Sequence, residues 1–157
     1  MFLGTMQTMN AQAKTAHVDV NEIISKMPAM LDAKKQLEKL QTTYDAEYKI
    51  MVDEYQAKVK KYDQEAETAG DAVNATRQTE VQDLIKRITD YGENAKKELQ
   101  KKESDLLAPL LDKIRASITK VGKAKGFQYI LNSGDTSTIL LADGPDLTAD
   151  VKKDLGF

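Results

Sequence analysis

The chain has 157 residues, of which 31% are charged and 41% hydrophobic, and it contains neither Cys nor Trp. Its heavy use of Ala, Glu, Lys, Leu and Gln is typical of long helices and coiled coils. The formal net charge of −2 argues against a broadly basic surface, so we expect no nucleic-acid partner. The absence of Cys excludes a disulfide scaffold and a thiolate metal site.

Residues 1–13 are mildly apolar and end in Ala11-Gln12-Ala13, which fits the small-x-small pattern of a signal-peptidase site. We interpret them as the end of a secretory signal peptide, cleaved near Ala13, whose start lies upstream of Met1. An ordinary disordered N-terminus is the alternative. No run of residues approaches the ~20 apolar residues of a membrane span.

The mature N-terminus predicts a strand followed by a helix. Apolar and polar residues alternate over Ala16–Val20, which favours a strand. Asn21 is predicted to cap the helix, with Glu22 in its first turn, where a carboxylate suits the helix dipole. Pro28 is expected to interrupt or redirect this opening turn.

Residues 25–121 predict a long antiparallel helical hairpin with its tip near residues 68–76. Apolar residues recur in steps of three and four, close to an eleven-residue repeat that needs little supercoil. The second stripe runs from Val81 to Val121. The first stripe consists of Leu37, Leu40, Tyr44, Tyr48, Met51, Tyr55, Val59, Tyr62, Ala66, Ala69 and Val73. Between the stripes lies the weakest helical stretch, which contains Gly70. One uninterrupted helix is the alternative.

Two residues of the second stripe are candidate hinges. Pro109 removes a helix hydrogen bond, so we expect a kink there. Gly92 is a second, weaker soft point. The alternative for both residues is an irregular point in the helix that has no hinge function.

The C-terminal segment is predicted to be compact. Phe127–Leu131 reads as a strand and 132–135 as a turn. Thr138–Ala142 predicts a second strand that is buried on both faces. A short helix follows, capped by Asp146 or Thr148.

Residues 14–24 and 122–157 together predict a small β-rich body that is too small to be stable alone. Without Cys, and with His17 as the single histidine, oligomerisation is the remaining means of stabilisation. We expect a sheet shared between the subunits of a trimer, which would also remove exposed strand edges. The candidate trimer-core residues are Val18, Val20, Ile130, Ile139 and Leu141. The fold class is therefore α+β, mostly α.

No arrangement of residues predicts catalysis, a cofactor or a metal site, and we interpret His17 as exposed or simply packed. The most informative pattern is the run of tyrosine and methionine in the first stripe. Coiled-coil core is the favoured interpretation for most of these positions. The alternative is a semi-polar lining for unfolded chains, because Tyr and Met adapt to varied apolar segments. The candidate lining residues are Tyr44, Tyr48, Met51, Tyr55 and Tyr62.

The two ends of the chain resemble the Skp/OmpH-like periplasmic chaperone family. The N-terminal part of the likeness is Val18-Asp19-Val20 followed by Ile23-Ile24 and Met27-Pro28. The more specific part is residues 121–131, followed by 139–143 and by Asp146-Leu147-Thr148-Ala149-Asp150-Val151. The likeness covers nearly all of residues 16–155, although the arm matches by pattern more than by identity.

The resemblance implies a periplasmic homotrimer whose strands form a body and whose three hairpins enclose a cavity. Unfolded outer-membrane proteins would be held there without ATP, so the protein would be a holdase and not an enzyme. A non-catalytic coiled-coil envelope spacer or adaptor is the alternative function. A cytosolic prefoldin-like cage shares the hairpin arms, and processing after Ala13 would exclude it.

One feature departs from the family. Members are often basic at the arm tip, which is linked to lipopolysaccharide and anionic membranes. Residues 63–83 here carry six carboxylates against Arg77 alone. Binding to lipopolysaccharide or anionic membrane is therefore doubtful, since acidic tips repel such surfaces at low salt.

Overall fold

The fold is α+β and mostly α, as predicted. A computed structural model describes residues 13–135 and 138–157, so nearly all of the proposed signal-peptide remnant lies outside the described residues. The elements are β1 Thr15–Val18, α1 Val20–Lys26, α2 Pro28–Ala69, α3 Asp71–Ala124, β2 Tyr129–Asn132 and α4 Thr148–Leu155. Among the described residues, no helix is long and apolar enough to cross a membrane.

The chain divides into two compact units. The arm is Asp32–Leu107, and the base combines the described residues up to Leu31 with those of Ala108–Phe157. The base takes in helical residues that the sequence had suggested belong to the arm. Met27, Met30 and Ile114 are among its buried residues, which explains why it extends beyond the strands.

The sheet of the base contains two parallel strands, β1 and β2, with Ala16 opposite Ile130 and Val18 opposite Asn132. The second edge of β1 is occupied by a loop, because the His17 amide donates to the Pro145 carbonyl at 2.9 Å. The Leu147 amide in turn donates to the His17 carbonyl at 2.9 Å.

The predicted strand over Thr138–Ala142 is wrong for this chain. The described residues of this segment form turns and irregular structure. The second edge of β1 is not available to this segment, because that edge is paired with the loop around Pro145. Leu140 and Leu141 are 94% and 83% exposed, so the segment is not buried on either face within one chain.

The start of α1 also corrects the sequence interpretation. Asp19, and not Asn21, is the N-cap, and its carboxylate accepts the Glu22 amide at 2.8 Å. Val20 is consequently helical and does not extend β1. The Asn21 side chain instead donates to the Gly134 carbonyl at 2.8 Å and so holds the turn after β2.

The base is held by an apolar core and by polar bonds from α4. Its buried apolar residues include Ala16, Val18, Ile23, Met27, Met30, Ile114, Val121, Leu147 and Val151. Lys152 of α4 pairs with Glu22 at 2.6 Å, and Asp154 accepts the Ser117 hydroxyl at 2.8 Å. Lysine partners hold the pKa values of Glu22 and Asp154 below their usual range.

The C-terminal helix begins after a polar turn. Leu147 occupies the N-cap position of α4, so neither of the two predicted cap residues does. Asp146 nevertheless stabilises this start, because its carboxylate accepts the amide of Thr148 at 2.8 Å and its hydroxyl at 2.6 Å. These bonds from Thr148 lower the pKa of Asp146.

The arm is an antiparallel helical hairpin. Helix α2 ends at Ala69 and α3 begins at Asp71, and Gly70 between them has a φ of 78°. This break lies within the range predicted for the tip. Only glycine adopts such a backbone conformation without strain, so a single residue can reverse the chain. Helix α3 continues through Pro109.

Candidate functional site

The candidate site is the seam between α2 and α3 in the arm. Contacts across the seam pair residues at similar sequence distances on either side of Gly70. Glu65 meets Arg77 near the turn, and Tyr48 lies against Gly92 farther along. None of residues 34–107, all of which the structure describes, is buried. Each apolar residue of the seam therefore keeps part of its surface open.

Tyr44 is half-buried and packs against Tyr91 of the opposite helix. The two ring centroids are 6.2 Å apart with planes at 75°, an edge-to-face arrangement that aromatic pairs favour. The Tyr91 hydroxyl donates to Glu47 at 2.5 Å, and this bond raises the pKa of Tyr91 to about 12. Tyr44 is therefore part of an interhelical contact.

Tyr48 is the most open member of the predicted lining, with 42% of its surface exposed. Its ring lies over Gly92, where an added Cβ would be 3.5 Å from the ring carbon Cε2. A Cβ at that distance would make an ordinary van der Waals contact, so packing against Tyr48 does not require glycine at position 92. A hinge at Gly92 or Pro109 stays a prediction.

Met51 and Tyr55 continue the stripe toward the tip, and both are half-buried. They are too open for a sealed core and too covered for a fully solvated surface. The core and lining interpretations are thus compatible at these positions, because each side chain is partly covered and partly accessible. Whether they contact another polypeptide stays a prediction.

Tyr62 lies in a polar cluster near the tip. Its hydroxyl and the Lys58 ammonium both donate to Glu80 of α3. These two donors lower the pKa of Glu80, while the carboxylate raises the pKa of Tyr62. The Arg77 guanidinium lies 4.7 Å from the centre of the Tyr62 ring and pairs with Glu65. This cluster ties the two helices together close to Gly70.

Shallow grooves run along the seam. One groove, of about 320 Å³, is lined by Tyr44, Tyr48 and Leu99 with polar residues that include Gln41 and Gln100. A neighbouring one, of about 290 Å³, shares Gln41 and Leu99 with it. A third, of about 350 Å³, lies near the tip and is lined by residues that include Val59, Tyr62, Asp63, Ala66, Gln78 and Val81.

The sequence interpretation did not single out the polar side chains that link the helices. Tyr91, Glu47, Glu65 and Glu80 each bond across the seam, and none was a predicted site residue. These pairs can be assigned once the turn is placed at Gly70, because folding the chain back at that residue brings each of them level with its partner on the opposite helix.

The predicted trimer-core residues are not brought together in one chain. Val18 is buried in the base itself, Val20 is half-buried in α1, and Ile139 is half-buried in a turn region. Ile130 of β2 packs on Gly122, where an added Cβ would be 2.1 Å from its Cδ1 atom. Four large apolar side chains of β2 and of the segment after it are exposed, namely Tyr129, Leu131, Leu140 and Leu141, the last of which is a predicted trimer-core residue.

Comparison with known proteins identifies the family. Residues 14–155 match the model of the family described as outer membrane protein (OmpH-like). The chain belongs to the OmpH-like family. A crystal structure of a candidate OmpH-like outer membrane chaperone from Caulobacter crescentus CB15 has the same fold, with a TM-score of 0.79 and 17% sequence identity. The match covers 98% of this OmpH-like chain and 89% of the other. No curated protein matches the chain in sequence.

Metal binding has no visible site in the part of this OmpH-like chain that the structure describes. Within residues 13–135 and 138–157, no group of three His, Asp or Glu residues is placed to hold a metal ion. The His17 ring has a structural environment, since its nitrogens lie 3.1 Å from the Ser133 hydroxyl and 3.0 Å from the Gly144 carbonyl. The His17 side chain therefore links the turn after β2 to the loop that precedes α4.

Proposed function

We propose that this OmpH-like protein is a non-enzymatic, ATP-independent holdase that binds unfolded outer-membrane proteins in the periplasm and prevents their aggregation. The observation that carries the proposal is the open seam of the arm. An ordinary helical domain encloses its apolar stripe, whereas no residue between positions 34 and 107 is buried here. Family membership and the fold shared with a candidate chaperone support the same function.

The chemistry of the seam suits weak and adaptable binding. Tyr44, Tyr48, Met51, Tyr55 and Tyr62 offer half-open rings and a flexible thioether, which accept apolar segments of different shape. Each contact would be short-lived, but several contacts to one unfolded chain would add up through their high effective concentration. A holdase needs this combination, because it must retain a client and later release it without ATP.

Self-association into a homotrimer is part of the proposal. No strand among residues 13–135 and 138–157 pairs with the outer edge of β2, since the described sheet contains β1 and β2 alone. Large apolar residues of β2 and of the segment that follows it, Tyr129, Leu140 and Leu141, are 61%, 94% and 83% exposed. Unpaired edges and exposed apolar clusters are features that proteins normally cover with a partner. Two further copies of this chain would cover them and bring three arms together.

The second candidate function is a passive envelope spacer or adaptor with one folded partner. The polar bridges across the seam favour it, because Glu47–Tyr91, Glu80–Tyr62 and Glu65–Arg77 make the hairpin resemble a rod. A spacer has no need of the open apolar stripe. It would bind a discrete folded protein and would not protect unfolded chains.

Light scattering during refolding of a urea-unfolded β-barrel outer-membrane protein tests the proposal. We expect that an equimolar amount of trimer, without nucleotide, suppresses most of the scattering. Full scattering, together with capture of one folded envelope protein, would favour the spacer.

Tight and salt-sensitive flotation with anionic vesicles would contradict the expectation that the acidic tip avoids lipopolysaccharide and anionic membranes.

A further inference from the structure

Helix α4 and the loop just before it cover the second edge of β1. Residues 145–155, here called the C-terminal clip, pair with that edge at one point. The His17 amide donates to the Pro145 carbonyl, and the Leu147 amide donates to the His17 carbonyl, both at 2.9 Å. Detaching the clip would therefore leave these two backbone groups of β1 free to bond elsewhere.

The apolar attachment of the clip is small. Within the described ranges, Leu147 and Val151 are its buried apolar side chains. Helix α4 has only eight residues, and a helix of that length is not stable in water without contacts to the rest of the protein. The polar bonds between the clip and the rest of the base therefore have a large influence on how often the clip opens.

Two carboxylates join the clip to neighbouring helices. Glu22 of α1 accepts the Lys152 ammonium of α4 at 2.6 Å. Asp154 of α4 accepts the Ser117 hydroxyl of α3 at 2.8 Å and also pairs with Lys120. Both bonds need a negative acceptor to be strong, because bonds to an ionised group are about twice as strong as neutral ones.

A third carboxylate orients the start of the clip. Asp146 accepts the Thr148 amide at 2.8 Å and the Thr148 hydroxyl at 2.6 Å. The oxygen of the same hydroxyl accepts the Asp19 amide at 2.9 Å, one residue beyond the end of β1. The Asp146 carboxylate thus holds the hydroxyl hydrogen on its own side and leaves the hydroxyl oxygen to accept from Asp19.

The three carboxylates respond to acid in the same direction. Hydrogen bonds from Lys152, Thr148 and Lys120 lower the pKa values of Glu22, Asp146 and Asp154, respectively. A group with a lowered folded pKa stabilises the fold above its unfolded pKa, and this contribution is lost as pH falls through the lowered value. The attachment of the clip is therefore complete at neutral pH and weakens below the usual pKa range of carboxyl groups.

The charges that surround these carboxylates favour opening once the carboxylates are neutral. In acid solution they are cations apart from Asp150, which pairs with Lys125 at 2.8 Å. Lys26 and Lys152 both donate to Glu22, so they would repel each other after Glu22 is protonated. The full set, contributed by β1, α1, α3 and the clip itself, is His17, Lys26, Lys120, Lys125, Asp150, Lys152 and Lys153.

We propose that the C-terminal clip is an acid-released latch on β1. Protonation of Glu22, Asp146 and Asp154 opens the clip, which frees the second edge of β1 and uncovers Leu147 and Val151. The arm keeps its helices during this opening. This inference concerns the base alone and does not depend on the proposed holdase function.

Amide hydrogen exchange of the full-length protein, measured residue by residue by NMR at one fixed concentration, tests the latch. After correction for the intrinsic pH dependence of exchange, we expect the Leu147 and Val151 amides to lose protection between pH 6 and pH 3. The expected loss is roughly 3- to 100-fold, since each of three exposed charged contacts contributes a factor of about 1.4 to 5. Leu99 in the arm should lose less. Unchanged protection at Leu147 and Val151, or an equal loss at Leu99, would overturn the proposal.

A neutral triple variant and a matched control test the three carboxylates. E22Q/D146N/D154N should show at pH 7 the weak protection that the unmodified protein shows in acid, with little further loss at pH 3. The control is D53N/D90N/D105N, which also removes three carboxylates, each paired with a lysine four residues earlier in the arm. It should keep the pH response of Leu147 and Val151.

The proposal is contradicted if the first variant retains the pH response of the unmodified protein, or if both variants lose protection at Leu147 and Val151 equally. The pH series on the unmodified protein needs no substitution, so it decides the question even if the first variant fails to fold. Aggregation suppression at neutral pH enters none of these outcomes, so the latch and the holdase function can fail independently.

Discussion

Replacing Gly122 with Ala is expected to destabilise the base, although Ala normally favours a helix. Gly122 is a buried residue of α3, and an added Cβ would lie 2.1 Å from Cδ1 and 3.2 Å from Cγ1 of Ile130. The Ala side chain gains about 1 kcal/mol of helix propensity. Overpacking costs about 1–3 kcal/mol, with the low end applying if the Ile130 side chain rotates away. The net loss is therefore up to about 2 kcal/mol.

A double-mutant cycle with Ile130→Val isolates this contact. Valine lacks the Cδ1 atom that meets the new methyl, so G122A should cost less in the Ile130→Val background, by about 1 kcal/mol or more. The assay is urea unfolding followed by circular dichroism at one fixed protein concentration, because association also contributes to stability. If G122A stabilises the protein by about 1 kcal/mol in both backgrounds, Ile130 does not pack on Gly122 and the reasoning is refuted.

Two further predictions concern the arm. The folded pKa of Glu80 is lowered by Lys58 and Tyr62, so its stabilising effect is present above the unfolded pKa and is lost as pH falls through the lowered folded value. Glu80→Gln should remove this part of the acid sensitivity in thermal unfolding monitored by circular dichroism, and identical pH profiles for both proteins would contradict it. Gly70→Ala should lower the melting temperature, because Ala at a φ of 78° costs roughly 1–2 kcal/mol. A Gly70→Ala protein that melts higher than the parent would show that the turn does not need a left-handed residue.

The arm was largely predictable from sequence because its information is local. The recurrence of Tyr44, Tyr48, Met51 and Tyr55 predicts a helix face, and the weak helical stretch around Gly70 predicts the turn. The partners across the seam required the exact position of the turn. A shift of one residue on α3 rotates its side chains by about 100°, so the range 68–76 was too wide to assign them.

The base was harder to predict because its pairings are distant in sequence. Thr138–Ala142 has strand composition, but the edge of β1 is paired with the loop at Pro145, and no periodicity in the sequence distinguishes these two partners. Asp19 and Asn21 are both good N-caps by residue type. The choice of Asp19 leaves Asn21 to bind the Gly134 carbonyl, more than a hundred residues away in sequence.

The central claim is that the arm holds unfolded outer-membrane proteins, and fluorescence anisotropy of client tryptophan tests it most directly. The chain contains no Trp, so the emission of a Trp-containing, urea-diluted β-barrel client comes from the client alone. We predict that anisotropy rises on addition of the protein without nucleotide, saturates at a defined stoichiometry and leaves the client without its native barrel spectrum. Anisotropy that stays at the value of the client alone, at micromolar protein, would contradict the account.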